Sequence, residues 1–266
     1  MKYVFLFFLI LLESNLFSQK DSQYNDAFKL QKNGEYENAI KVYSEIINRE
    51  KNNVKAYSNR AYCYRVLGKY RSASIDVDSV LAIDSNNAIG YKERAVIFVM
   101  TKEYDSALVY IDKAIHKDST ISILYNAKGG IYVVQEKYEK AVKALTIAIK
   151  LDSTNGTAYF NRGISHKYLE SYFLAIQDLS QSIKYDEKNY RAYHERALCY
   201  EFLKDYKSVI YNYSKAIKYY RQVDFYEDTD NKSTFLSARA DAKRALGKNI
   251  SAKRDDKKAK RLSKHE

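Results

Sequence analysis

The sequence predicts an all-α protein, a solenoid of stacked antiparallel helix pairs. Three observations carry that reading. Between Lys20 and Val223 one 34-residue pattern is written six times: Tyr57, Tyr91, Tyr125, Tyr159 and Tyr193 fall 34 apart, and so do Tyr36, Tyr70, Tyr104, Tyr138, Tyr172 and Tyr206. Within each copy two small residues stand twelve positions apart, and large side chains recur at fixed places beside them. A period of this length marks units that hide their apolar faces only against neighbours, and its product is an extended surface rather than a catalytic pocket.

The copies run 20–53, 54–87, 88–121, 122–155, 156–189 and 190–223. Position eight is always small: Ala27, Ala61, Ala95, Gly129, Gly163 and Ala197. Position twenty follows with Ala39, Ala73, Ala107, Ala141 and Ala175, and only Val209 departs. Small residues on each side of a turn let two antiparallel helices approach within the roughly 8–10 Å of tight packing. Each copy therefore reads as a helical hairpin. Position twenty-seven is small or β-branched (Ile46, Val80, Ala114, Ala148, Ser182, Ala216), which suits contact with the first helix of the next copy. Large residues at positions four and eleven, such as Tyr57 with Tyr64 and Tyr125 with Tyr132, fill the remaining space. Position fifteen, the expected turn, is Gly34 and Gly68 but then Lys102, Glu136, Glu170 and Lys204; a left-handed turn there costs each non-glycine residue roughly 1 kcal/mol.

This pattern resembles the tetratricopeptide repeat family over about 200 residues without an insertion. The phrases Gly34-Glu35-Tyr36-Glu37-Asn38-Ala39-Ile40 and Gly68-Lys69-Tyr70-Arg71-Ser72-Ala73 stand as the family writes them. The family's proline at position thirty-two is absent from every copy, and the chain has no Trp at all. The resemblance implies a right-handed superhelix, a non-enzymatic protein-interaction scaffold, and a concave surface lined by positions two, five, nine, twelve and thirteen. Here that groove comprises Tyr62, Val66, Val96, Val99, Met100, Val133, Val134, Phe160, Ile164, Tyr168 and Phe202, with Phe28 and Leu198 beside them. The family's clamp for a C-terminal carboxylate, Lys at position five with Asn at position nine, is missing: the chain has Tyr24 with Phe28 and Ser58 with Tyr62. An apolar groove suits a protein or peptide with hydrophobic anchors. The same residues could instead pack neighbouring first helices together.

The two ends break the pattern. Lys2 and an apolar run from Tyr3 to Leu12 are too short for a membrane span of roughly 20 residues, so residues 1–18 read as a signal peptide with cleavage near Ser18. Export to the periplasm or beyond follows, the alternative being an uncleaved anchor. After residues 19–223 comes an acidic linker, 224–232, then a degenerate seventh repeat with capping helices and a basic tail, 233–266, marked by Arg239-Ala240 and Gly247. Its second helix is expected to keep Ile250, Ala252, Ala259 and Leu262 on an apolar stripe.

Charge is concentrated at that end. The formal net charge is +12, and the stretch 239–266 holds eleven Lys or Arg against four acids. Export argues against a nucleic-acid partner, which leaves an anionic envelope surface as the natural partner of the tail. Cys63 and Cys199 both occupy position ten, four copies apart, too far for a disulfide, and are expected to be buried free thiols.

Chemistry has no foothold. His116, His166, His194 and His265 share no helical spacing, and no phosphate loop, nucleophile elbow or spaced cysteine cluster occurs, so no catalytic residue, metal, cofactor or small-molecule substrate is expected. One recurrent cation needs an account. Position seven is Arg60, Arg94, Lys128, Arg162 and Arg196, with Arg239 in the seventh copy. A charge so near a packed seam calls for a partner, and Asp76 and Asp178 at position twenty-three are the candidates.

Overall fold

A computed structural model describes residues 22–220 and 232–263. The expected signal peptide and nearly all of the expected linker lie outside them. Every element among the described residues is helical. The helices are α1 (22–32), α2 (Tyr36–Arg49), α3 (Val54–Val66), α4 (Tyr70–Ile83), α5 (Ala88–Met100), α6 (Tyr104–Lys117), α7 (Ser122–Val134), α8 (Tyr138–Leu151), α9 (Gly156–Tyr168), α10 (Tyr172–Tyr185), α11 (Tyr190–Phe202), α12 (Tyr206–Tyr219), α13 (Lys232–Ala245) and α14 (Asn249–Leu262). They form two compact units, α1–α6 and α7–α14, divided after Ser119.

The missing prolines are replaced by another stop signal. Asn53, Asn87, Asn155 and Asn189, at position thirty-four, cap the first helices by accepting from the backbone N–H three residues on. Three residues earlier, Asp84, Asp152 and Asp186 leave the helical region and accept from a backbone N–H two residues ahead, an Asx turn that ends the preceding helix. Inside each hairpin the turn is left-handed as expected. Gly34 and Gly68 have positive φ, and so do Lys102, Glu136, Glu170 and Lys204, at 57–64°. After α3 the amide of Lys69 donates to Tyr64 and that of Gly68 to Arg65, a Schellman closure that satisfies the last carbonyls.

Positions eight and twenty are buried: Ala27, Ala39, Ala61, Ala73, Ala95, Ala107, Ala141, Ala175 and Ala197 are all shielded from solvent. Both glycines at position eight share their hairpin with a leucine at position twenty-four. Gly129 and Gly163 face Leu145 and Leu179, whereas Ala61 shares its cluster with the smaller Val77. A Cβ on Gly163 would sit 2.8 Å from Leu179 Cγ, and one on Gly129 would overlap Leu145 Cγ. The γ-branched leucine fills the volume that a Cβ needs.

The seventh hairpin, α13–α14, docks through an aromatic knot. Phe235 is wholly buried against Tyr190, His194, Tyr213 and Tyr220. Its second helix differs from expectation in one respect: Ile250 is 76% exposed and lies off the apolar stripe. The buried face carries Ala252, Asp255 and Ala259, with Leu262 half-buried, because a carboxylate needed by α13 takes the place of an apolar residue.

Gly129→Ala is expected to destabilise the protein by about 1–3 kcal/mol through overpacking. On a Leu145→Val background the same change should stabilise, by up to about 1 kcal/mol from helix propensity. Urea denaturation of the four proteins reads this coupling, and purely additive effects would show that the two side chains do not compete.

Candidate functional surface

Two layers of residues compose the surface: cations that join the helices beneath it and aromatics that line it. Arg60 projects from α3, and its Nε and Nη2 donate to both oxygens of Asp76 on α4, at 2.9 and 2.7 Å. Its Nη1 donates to Ser44 Oγ on α2, at 2.8 Å. Arg162 repeats the arrangement with Asp178 and Thr146, and Arg239 with Asp255 and Ser214. The guanidinium also lies over the tyrosine at position four, 5.7 Å from the ring centroids of Tyr57 and Tyr159. Asp76 and Asp178 are thus the partners of Arg60 and Arg162, and the cation is structural.

Departures from this joint obey its electrostatics. Arg196 meets the neutral Asn212 instead of a carboxylate, donating at 2.9 Å, with Ser180 below it. Burial holds its pKa below the ordinary value, whereas hydrogen bonding to Asp76 and Asp178 raises those of Arg60 and Arg162. Arg94 has Tyr110 at position twenty-three of its own copy and pairs instead with Asp78, at position twenty-five of the copy before. His166 Nε2 stands 3.8 Å from Asp178, and burial depresses its pKa.

Within each unit the first helices touch one another, α3 with α5, α7 with α9 and α9 with α11, while no comparable contact joins second helices among the described residues. First helices therefore form the inner layer of each stack. Polar links run between them: Arg65 to Glu93 at 3.5 Å, Asn161 to Asn126 at 3.3 Å and Lys167 to Glu195 at 2.6 Å. Burial pulls the Lys167 pKa down, but Glu195 more than offsets it and holds the ammonium above its usual value.

The expected groove residues divide into two groups. Tyr62, Val66, Val96, Val99 and Met100 in the first unit are half-buried, as is Ile164 in the second. Val133 packs against the cluster of Ala141, Leu145 and Ala148, and Phe160 against that of Ala175, Leu179 and Tyr193. Val134, Tyr168 and Phe202, all at position thirteen, are 52%, 55% and 64% exposed. Two of these stack on tyrosines that open the preceding second helices: Tyr168 on Tyr138 and Phe202 on Tyr172, each with centroids 4.7 Å apart and rings within 11° of parallel. Lys167 Nζ lies 4.4 Å from the Tyr168 centroid. Sequence reasoning missed Tyr138 and Tyr172 as surface residues. The signal was present as aromatic pairs thirty residues apart, Tyr138 with Tyr168 and Tyr172 with Phe202.

Both cysteines are free and buried, with thiol pKa values pushed up to about 12 by burial. Among the described residues, no group of three or more His, Cys, Asp or Glu side chains could hold a metal ion. No helix among them is long and apolar enough to cross a membrane.

No protein-family model matches the chain, and no curated protein matches it. Solved structures do. Pseudomonas aeruginosa PilF superposes with a TM-score of 0.69 at 20% identity, covering 81% of this chain and 93% of that one. A tetratricopeptide repeat protein from Parabacteroides merdae superposes at 0.61 with 16% identity, covering 91% and 92%. The fold is that of the tetratricopeptide repeats. A further neighbour, YrrB, described as a tetratricopeptide repeat protein with an unusual peptide-binding site, superposes at 0.51 with 20% identity, covering 66% of this chain and 91% of its own. In this tetratricopeptide solenoid, positions eight, twenty and twenty-seven close the packing, and the position-seven arginine adds a polar joint between neighbouring repeats.

Arg162→Gln strands a buried carboxylate, and the expected loss is about 3–5 kcal/mol in urea denaturation. Asp178→Asn imitates the Arg196–Asn212 joint and should cost about 1 kcal/mol. Equal losses from the two variants would contradict the role assigned to the charge.

Proposed function

We propose that the chain is a non-enzymatic scaffold that holds a protein or peptide segment against the inner layer of its tetratricopeptide repeats, with the second unit supplying the main anchor site. The observation that carries this reading is the row Val134, Tyr168 and Phe202, exposed at one recurrent position, with Tyr168 and Phe202 stiffened by stacking on Tyr138 and Tyr172. Aromatic rings held in place lose little entropy when a partner covers them, and each offers a large apolar face. The rows of polar links beside them, such as Lys167 with Glu195, leave donors and acceptors for a partner backbone. YrrB, with its peptide-binding site, supports a peptide as the class of occupant.

Replacing Val133 or Phe160 would test the wrong thing, since both pack into cores. A photo-crosslinking residue placed at Phe202 or Val134 in the native cell is expected to give a discrete protein adduct. The same residue at Ile147, an exposed side chain of the second helix α8, should give none. Adducts of equal yield at all three places, or none at Phe202 and Val134, would reject the reading.

We propose further that the protein is exported. Lys2 followed by the apolar run from Tyr3 to Leu12 supports a cleaved signal. Sequencing the N-terminus of protein isolated from its own cell should yield Gln19. Recovery of Met1 would support a retained anchor instead.

A further inference from the structure

The last helix carries a surface that peptide binding does not use. Along α14 the side chains of Ala252, Asp255 and Ala259 are buried against α13, which fixes the rotation of the helix. The opposite arc carries Lys253, Arg254, Lys257, Lys258, Lys260 and Arg261, all exposed. No ion pair involving any of the six is recorded among the described residues.

Surface helices ordinarily interleave acids with such cations, and α14 has two acids to offer. Both are used on the other side. Asp255 accepts from Arg239 at 2.8 Å and from Lys243 at 2.7 Å, and Asp256 accepts from Arg244 at 2.8 Å. The outward arc is therefore strongly cationic, with Asp256, drawn toward Arg244, as an acid at its edge.

The same face is not shaped to receive another repeat. Position twenty-five holds the group that accepts the next repeat's arginine: Ser44 for Arg60, Asp78 for Arg94, Thr146 for Arg162, Ser180 for Arg196 and Ser214 for Arg239. In the seventh copy this position is Lys257, which has no acceptor and repels a guanidinium. Lys257 thus sets on this face a charge that rejects the arginine of a further repeat.

We propose that the outer face of α14 docks the protein onto an anionic lipid surface. Charge complementarity supplies the attraction, and it is concentrated on one helix held rigid by α13. The choice of lipid over nucleic acid rests on Ile250, 76% exposed on the same arc, one helical turn from Arg254 and two turns from Lys257. An apolar side chain among cations gains from the boundary between headgroups and acyl chains. A phosphodiester backbone would leave it in water. The arc also has no aromatic ring on which an unpaired base could stack.

Sedimentation of the intact chain with vesicles of mixed phosphatidylglycerol and phosphatidylcholine tests this, with pure phosphatidylcholine vesicles as control. Binding is expected only to the anionic vesicles and should fall steeply as salt is raised. The combined Arg254→Glu, Lys257→Glu and Arg261→Glu variant leaves the buried face untouched. It should lose at least about a hundredfold in partition while keeping its helical circular dichroism. Ile250→Ser should weaken binding several-fold with an unchanged salt slope. The proposal is overturned if the intact chain ignores anionic vesicles at low salt, or if the triple variant binds them as well as the original. It is equally overturned if duplex DNA is bound more tightly than the vesicles at equal phosphate and Ile250→Ser affects neither.

Discussion

The arginine at position seven is the joint on which the stacking of these hairpins depends. A guanidinium presents five donors in a flat fork, so one side chain can serve two directions at once. Arg60, Arg162 and Arg239 use one edge for a carboxylate on their own second helix and another for a hydroxyl on the hairpin before. Three helices are thereby tied through a single planar group. Burial of the carboxylate makes the geometry obligatory, because Asp76, Asp178 and Asp255 have almost no water to fall back on. The copy 20–53 carries Asp26 at this position.

Around the joint the apolar packing is a local exchange of volume rather than a large shared core. Gly129 and Gly163 yield space to Leu145 and Leu179, while Ala61 packs with the smaller Val77. Each hairpin settles the question separately, as expected where a unit touches only its neighbours. Where the register slips after the sixth copy, packing by position no longer suffices. The knot around Phe235 takes over, joining rings from α11, α12 and α13.

The surfaces available to partners follow from the same arrangement. First helices approach one another on the inner side, so their position-thirteen residues are brought into a row, in which Tyr138 and Tyr172 brace Tyr168 and Phe202. At the far end the logic is electrostatic. The acids of α14 are drawn inward by Arg239, Lys243 and Arg244, which leaves the opposite arc to its cations.

The sequence by itself determined the hairpin, its period and the contact positions, because a rule repeated six times is visible without coordinates: Ala61 with Ala73, the turn at Gly68, the buried Cys63 and the pairing of Arg60 with Asp76 all follow from spacing. Tertiary structure decided the direction of each exposed side chain. Val133 and Val134 are adjacent in sequence, yet one packs against the Leu145 cluster and the other faces solvent. Ile250 looked like part of an apolar stripe until Asp255, needed by Arg239, claimed the buried side of α14. Composition cannot settle such competition, since the rotation of a helix is set by whichever contact across the hairpin costs most to lose, and that contact lies on another helix.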